Sequence, residues 1–263
     1  MKKRIQANEN TQSRRNFLKS AGMGAAAVAG MPLIASGCNT PEVSNENSYA
    51  AYFNESDVVL LQGDSITDAG RKKEDGLPNE GRYFGWGYAN IIASKLLGSM
   101  PEKKLTIYNR GISGNKVYQL DERWQEDCLD LKPNILSILI GVNDYWHYRL
   151  ERYDGTAETY ENDFRKLLER TRTALPDIKL IICQPFVLPG TRAVDESWVE
   201  PFSEYQAIAK KISGEFNATW VPFQSAFNAA LELAPAPYWA EDGVHPSMAG
   251  AQLMADEWLK AIG

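Results

Sequence analysis

From Asp57 to the C-terminus, short apolar runs alternate with amphipathic stretches. The runs cover residues 58–62, 105–108, 135–140, 178–183 and 218–221. Each is rich in Leu or β-branched residues and apolar at consecutive rather than alternate positions. That is the pattern of strands covered on both faces, so the sheet they predict is parallel. Tyr160, Phe164, Leu167, Leu168, Thr171 and Leu175 fall on one helical stripe, with Glu, Arg and Lys opposite. Phe202, Tyr205, Ile208, Ala209, Ile212 and Phe216 form a second stripe. Ala251, Met254, Ala255, Trp258, Leu259 and Ile262 form a third. These stripes read as core faces. The sum predicts one α/β domain over residues 57–263, a three-layer α/β/α arrangement with right-handed crossovers around five parallel strands.

Residues 1–37 depart from that pattern. Lys2, Lys3, Arg4, Arg14, Arg15 and Lys19 against Glu9 give them a charge of +5, which leaves −11 on residues 38–263 of a chain whose net charge is −6. A body this acidic repels phosphate backbones, so a neutral substrate is expected and nucleic acid is not. The paired Arg14 and Arg15, with Phe17 and Leu18 behind them and an Ala/Gly-rich run over 21–35, resemble a twin-arginine export signal. Small residues before Cys38 resemble a lipoprotein processing site, although Ala35 stands where such sites usually carry Leu. The expectation is an exported protein, periplasmic or at the cell surface, with Cys38 as a lipid anchor. Residues 38–56 are polar and read as a linker. No stretch reaches the ~20 apolar residues of a permanent membrane span. Of the other two cysteines, Cys183 ends an apolar run and reads as a small core residue; whether it pairs with Cys128 is not legible.

In an open parallel sheet, functional groups gather at the carboxyl ends of the strands. After the first run comes Gly63-Asp64-Ser65-Ile66-Thr67, and after the second Asn109-Arg110-Gly111-Ile112-Ser113-Gly114-Asn115. Gly141-Val142-Asn143-Asp144 follows the third, and Asp242-Gly243-Val244-His245-Pro246 lies beyond the fifth. Singly these are ordinary: Gly-Asp-Ser and Asp-Gly make turns, and Asn-Asp caps helices. Together and in this order they supply the parts of a serine esterase. A serine hydroxyl needs an adjacent base, and the chain has only two histidines, His147 and His245. Asp242 lies three residues before His245, placed to hold its Nδ1 proton and leave Nε2 for Ser65. The expected oxyanion donors are the backbone N–H groups of Ser65 and Gly111 and the side-chain amide of Asn143, with glycine at 111 allowing close approach by substrate. No acid stands at triad spacing from His147, and Asp64 and Asp144 read as loop-holding residues. Metal-ligand patterns such as H-E-x-x-H are lacking, so neither a metal nor another cofactor is expected.

These four clusters resemble the blocks of the SGNH, or GDSL, hydrolase superfamily over essentially all of residues 57–263. The resemblance implies a flavodoxin-like five-stranded parallel sheet and ester hydrolysis without a metal. It maps the family's serine, glycine, asparagine and D-x-x-H onto Ser65, Gly111, Asn143, and Asp242 with His245. GDSITDAGR from Gly63, RGISGN from Arg110, the D-x-R-W of Asp121 to Trp124 and the Gly-x-Asn-Asp-x-Trp of Gly141 to Trp146 are similar to the acetylxylan esterase branch. That branch implies an acetylated plant polysaccharide or its oligosaccharides as substrate, and it points to a homo-oligomer. Tyr238-Trp239-Ala240-Glu241 before the D-x-x-H displaces the aromatic expected there. Trp86, Trp146 and Trp239 are candidates to stack on sugar rings; Trp146 and Trp239 are taken as substrate-binding, while Trp124 and Trp258 read as helix packing. A lysophospholipase or thioesterase could use the same catalytic residues, and a glycan-binding protein could keep the fold without the chemistry.

Overall fold

The computed structural model describes residues 48–263. The basic segment 1–37, Cys38 and the first part of the expected linker lie outside the described residues. Five strands form one parallel sheet: β1 (Val58–Gly63), β2 (Thr106–Asn109), β3 (Ile135–Leu139), β4 (Lys179–Cys183) and β5 (Thr219–Val221), in the order β2-β1-β3-β4-β5. Strand β3 is buried at every position, including Ser137 among its Leu and Ile residues. Each fully buried Leu or Ile there contributes about 1.5–3 kcal/mol.

Among the described residues, ten α-helices connect and cover the strands. They are α1 (Ser65–Asp68), α2 (Tyr88–Ser99), α3 (Val117–Glu122), α4 (Trp124–Asp127), α5 (Val142–Arg149), α6 (Ala157–Ala174), α7 (Val199–Glu215), α8 (Phe223–Ala230), α9 (Ala236–Trp239) and α10 (Met248–Ala261). Helix α10 packs on α2 and α8, and α6 packs on α3 and α7, giving the two outer layers of an α/β/α sandwich. The three helical stripes read from the sequence are the buried faces of α6, α7 and α10. Trp124 and Trp258 are fully buried, and each indole N–H finds a hydroxyl at 2.9 Å, Thr171 Oγ1 and Ser137 Oγ respectively. Cys128 and Cys183 are free, buried thiols.

The linker boundary needs correction. Residues 48–52 form a 3-10 turn, and Tyr49 and Phe53 are buried in the main core. Three aromatics in a polar stretch, Tyr49, Tyr52 and Phe53, carry no periodicity, yet they anchor this segment against the body. The packed domain therefore includes residues 48–56.

The register brings the functional ends together. Leu61 pairs with Asn109, and Gly63 with Leu139. The loops that leave β1, β2 and β3 thus emerge side by side where the strand order reverses about β1, the place such sheets use for ligands.

Candidate active site

Ser65 opens α1 directly after β1. Asp64 caps that helix, its Oδ1 accepting from the Ile66 N–H at 3.0 Å. His245 lies 180 residues further along the chain, and its Nε2 is 2.8 Å from Ser65 Oγ. His245 Nδ1 is 2.7 Å from Asp242 Oδ2. The other oxygen, Oδ1, accepts from the N–H groups of Val244 at 3.0 Å and His245 at 2.8 Å, so the carboxylate is fixed by its own turn. Burial alone would raise the Asp242 carboxyl. The bonds from the ring and from the two backbone N–H groups, with the charge of His245, outweigh it and hold the group far below the usual carboxylate range. An ionised carboxylate only accepts, so Nδ1 carries the proton and the Nε2 lone pair faces Ser65. The same bond to Asp242 raises the His245 pKa against the opposing effect of burial.

The three expected oxyanion donors come from the start of α1, the loop after β2 and the start of α5. Ser65 N–H stands at the first position of α1, where a helix leaves its donors without intrahelical partners. Asn143 is buried near the start of α5, and its Nδ2 donates to Asn115 O at 3.3 Å, which leaves a second proton on that nitrogen. Gly111 differs from expectation. Its N–H donates to Asn109 Oδ1 at 2.9 Å, and Asn109 is locked because its Nδ2 donates to Thr67 O at 2.7 Å and Phe84 O at 3.0 Å. Gly111 can serve an oxyanion only by sharing that proton. Its lack of a side chain also has another reason than substrate approach. A Cβ at 111 would lie 2.4 Å from Asp68 N and 2.8 Å from Thr67 C, so glycine lets the loop lie against α1.

Several residues inside the motif strings hold this loop, a role that the sequence did not assign them. Asp68 Oδ2 accepts from Ser113 N at 2.9 Å and Ser113 Oγ at 2.7 Å. Arg123 donates to Asn115 Oδ1 at 2.9 Å and Arg110 O at 2.8 Å, which explains the arginine of the D-x-R-W string. Asn109 was readable only as an Asx turn, a strand-end asparagine two residues before a glycine. Asp64 and Asp144 each make one backbone bond, Asp144 Oδ1 with the Val117 N–H at 3.1 Å, while the second oxygen of each is buried without a partner. Burial pushes both carboxyls up to about 7.

A cavity of about 310 Å³ opens beside the triad, lined by Ser65, His245, Trp86, Tyr88, Ser113 and Pro246 among others. Of the two tryptophans taken as substrate-binding, Trp146 packs edge-on to Trp198 at 5.5 Å and lies 6.4 Å from the His245 ring. Neither is part of this lining; the Trp239 indole N–H is bound to Ala230 O and Ala234 O, both at 3.1 Å, so it fastens α9 to the end of α8. Trp86, the third candidate, does line it. His147 sits apart from the triad, with Nδ1 3.1 Å from Lys116 Nζ. Among the described residues no group of three or more His, Cys, Asp or Glu is placed to hold a metal ion.

Comparison with known proteins agrees with this geometry. The model of the GDSL-like lipase/acylhydrolase family matches residues 61–253. An acetylxylan esterase of Geobacillus stearothermophilus is 35% identical over 210 residues, which is 78% of this chain and 93% of that protein. Its crystal structure superposes with a TM-score of 0.73 at 33% identity, covering 80% of this chain and 96% of the other. Catalytic mutants of that esterase replace a serine, an aspartate or a histidine by alanine. A structure from Parabacteroides merdae described as a GDSL-like lipase is 51% identical with a TM-score of 0.79, covering 80% of this chain and 97% of that one. With the five-stranded α/β/α fold, the strand-end Gly-Asp-Ser and a family match over most of the chain, the protein belongs to the GDSL-like lipase/acylhydrolase (SGNH) family and is a carboxylic ester hydrolase.

Proposed function

We propose that the protein removes O-acetyl groups from carbohydrate, with acetylated xylan or its oligosaccharides as the substrate class, through an acetyl-enzyme on Ser65. The observation that carries this reading is the unbroken chain Ser65 Oγ–His245 Nε2 at 2.8 Å and His245 Nδ1–Asp242 Oδ2 at 2.7 Å, at the mouth of a cavity. Ser65 attacks the acetyl carbonyl as His245 takes its proton, and Asp242 stabilises the imidazolium that forms. Ser65 N–H and Asn143 Nδ2 bind the tetrahedral oxyanion, joined by Gly111 N–H as it shares its proton with Asn109. The imidazolium then protonates the sugar's ester oxygen as the acyl C–O bond breaks, so the sugar leaves as a hydroxyl and the acetyl group stays on Ser65. Water, deprotonated by His245, attacks the acetyl-enzyme and releases acetate with Ser65 restored. The serine, aspartate and histidine of the Geobacillus catalytic mutants support the assignment by residue type, and that protein's activity supports the substrate class.

Acetate release from acetylated xylan, pectin and mannan, alongside p-nitrophenyl acetate and octanoate, tests the reading. Preference for acetate and for xylan is the expected result. Preference for octanoate with no carbohydrate deacetylation would replace it with a lipid esterase. We also propose, from Arg14, Arg15 and Cys38, that the enzyme is exported as a lipoprotein. Labelled palmitate should enter the wild-type protein and not Cys38→Ala; equal labelling, or none in either, would reject the anchor.

A further inference from the structure

We propose that Trp86 forms a sugar-binding subsite of the cleft, its indole face stacking on a pyranose ring of the acetylated oligosaccharide beside Ser65. This rests on the carbohydrate reading above and adds the residue that selects for it. Trp86 is 76% exposed, whereas the other six tryptophans of the chain are buried or half-buried. Leaving so large an apolar face in water forgoes the stabilisation that burial would give, and isolated exposure of this size at a cleft marks a contact for something else. Its place is informative too: it lines the same cavity as Ser65 and His245.

The ring is presented rather than loose. The Trp86 backbone N–H donates to Ala69 O at 3.1 Å, tying the residue to the end of α1. The benzo edge lies over Gly70, where an added Cβ would meet Cη2 at 2.1 Å and Cζ2 and Cζ3 at 2.6 Å. Only a glycine at 70 leaves room for that rest position, and Gly70 adopts φ +75°, which also favours glycine. A platform whose backbone is tied at Ala69 and whose edge rests on Gly70 loses less entropy on binding than a wholly free side chain.

The chemistry of the cavity favours a sugar over an acyl chain. A pyranose ring offers a flat array of C–H groups on one face and hydroxyls around its rim, and xylose lacks the C6 hydroxymethyl that would interrupt that face. A solvent-open indole matches such a ring, since the rim hydroxyls remain in water. A long acyl chain would require enclosure on all sides, which a side chain three-quarters exposed does not provide. The remaining apolar lining comes from Ile66, Ala69, Tyr88 and Pro246.

The test compares Trp86→Ala and Trp86→Phe with wild type on acetylated xylo-oligosaccharide and on p-nitrophenyl acetate. In Trp86→Ala the ratio of kcat/KM for oligosaccharide over small ester should fall about tenfold, mainly through KM, as loss of a stacked aromatic contact predicts. Trp86→Phe, which keeps a smaller ring, should recover that ratio to within about threefold. A ratio within about twofold of wild type in Trp86→Ala would overturn the proposal, as would a selective loss on the octanoate ester. Calorimetry of xylohexaose binding to Ser65→Ala and to Ser65→Ala/Trp86→Ala separates this from the deacetylase reading. The double variant should bind about tenfold more weakly. Equal affinities would sink the subsite. Trp86-dependent binding in a protein whose wild type deacetylates no carbohydrate would uphold the subsite and reject only the reaction.

Discussion

Asp242→Asn is the most informative single perturbation, because the turn around it dictates which way the new amide must face. In the native protein Oδ1 accepts two backbone N–H groups, from Val244 and His245, while Oδ2 faces His245 Nδ1 at 2.7 Å. An asparagine must keep its carbonyl oxygen on the two N–H groups, which turns its NH2 toward Nδ1. His245 then has to accept at Nδ1 and carry its proton on Nε2, the tautomer that cannot take the proton of Ser65. Flipping the amide to restore the useful tautomer would leave two buried backbone donors facing an NH2, at a cost of about 1–3 kcal/mol each. The productive tautomer is therefore disfavoured by roughly 2–6 kcal/mol, and the imidazolium also loses its counter-charge. Steady-state hydrolysis of p-nitrophenyl acetate should show kcat lower by about 10⁴-fold, or ~5.4 kcal/mol at 1.36 kcal/mol per decade, with KM within a few fold. The amide is isosteric, so circular dichroism and thermal unfolding should report an intact fold. A fall in kcat of less than about tenfold with the fold intact would show that tautomer control by Asp242 is not how the base works.

Other outcomes follow from the same geometry. Asn143→Ala removes one oxyanion donor and should lower kcat about 10²–10³-fold, equivalent to roughly 2.7–4 kcal/mol; a change in KM alone would contradict that role. His245 must be neutral to act as base and its pKa is raised by Asp242, so kcat/KM should fall in acid with a midpoint above the ordinary histidine value of about 6.5; full activity at pH 5 would count against it. Asp144 is held at about 7 in the folded protein, above its unfolded value, so the stability it confers is complete in acid and is lost as pH rises toward 7. Asp144→Asn, which mimics the protonated acid, should therefore lose less Tm than wild type between pH 5 and pH 8, and an equal loss would reject a buried neutral carboxyl.

The sheet was legible because β-strands buried on both faces leave continuous apolar runs, and all five appear within a residue or two of their predicted ends. The helices α6, α7 and α10 were legible for the same reason, since one face of each must be apolar to cover the sheet. The triad was legible as an ordered set of strand-end residues, and the structure joins Ser65 to His245 and Asp242 across most of the chain. Contacts that depend on direction rather than residue type were not. Nothing in the sequence says that the Gly111 N–H turns toward Asn109, or that Gly111 is small to clear Asp68 and Thr67. The tryptophans show the same limit: Trp239 and Trp86 both read as candidates for a sugar ring, yet one is tied to α8 and the other lines the cleft. Tyr49 and Phe53 reach the core from a polar segment, with Tyr52 packed beside them, an anchor visible only in the packing.

The central claim, that the Ser65 hydroxyl is made nucleophilic by a chain running through His245 to Asp242, is tested most directly by a fluorophosphonate probe followed by peptide mass spectrometry. One adduct per chain on the peptide carrying Ser65, absent in Ser65→Ala and strongly slowed in Asp242→Asn, is the predicted result. Folded wild-type protein that stays unlabelled, or labelling that persists in Ser65→Ala, would contradict it.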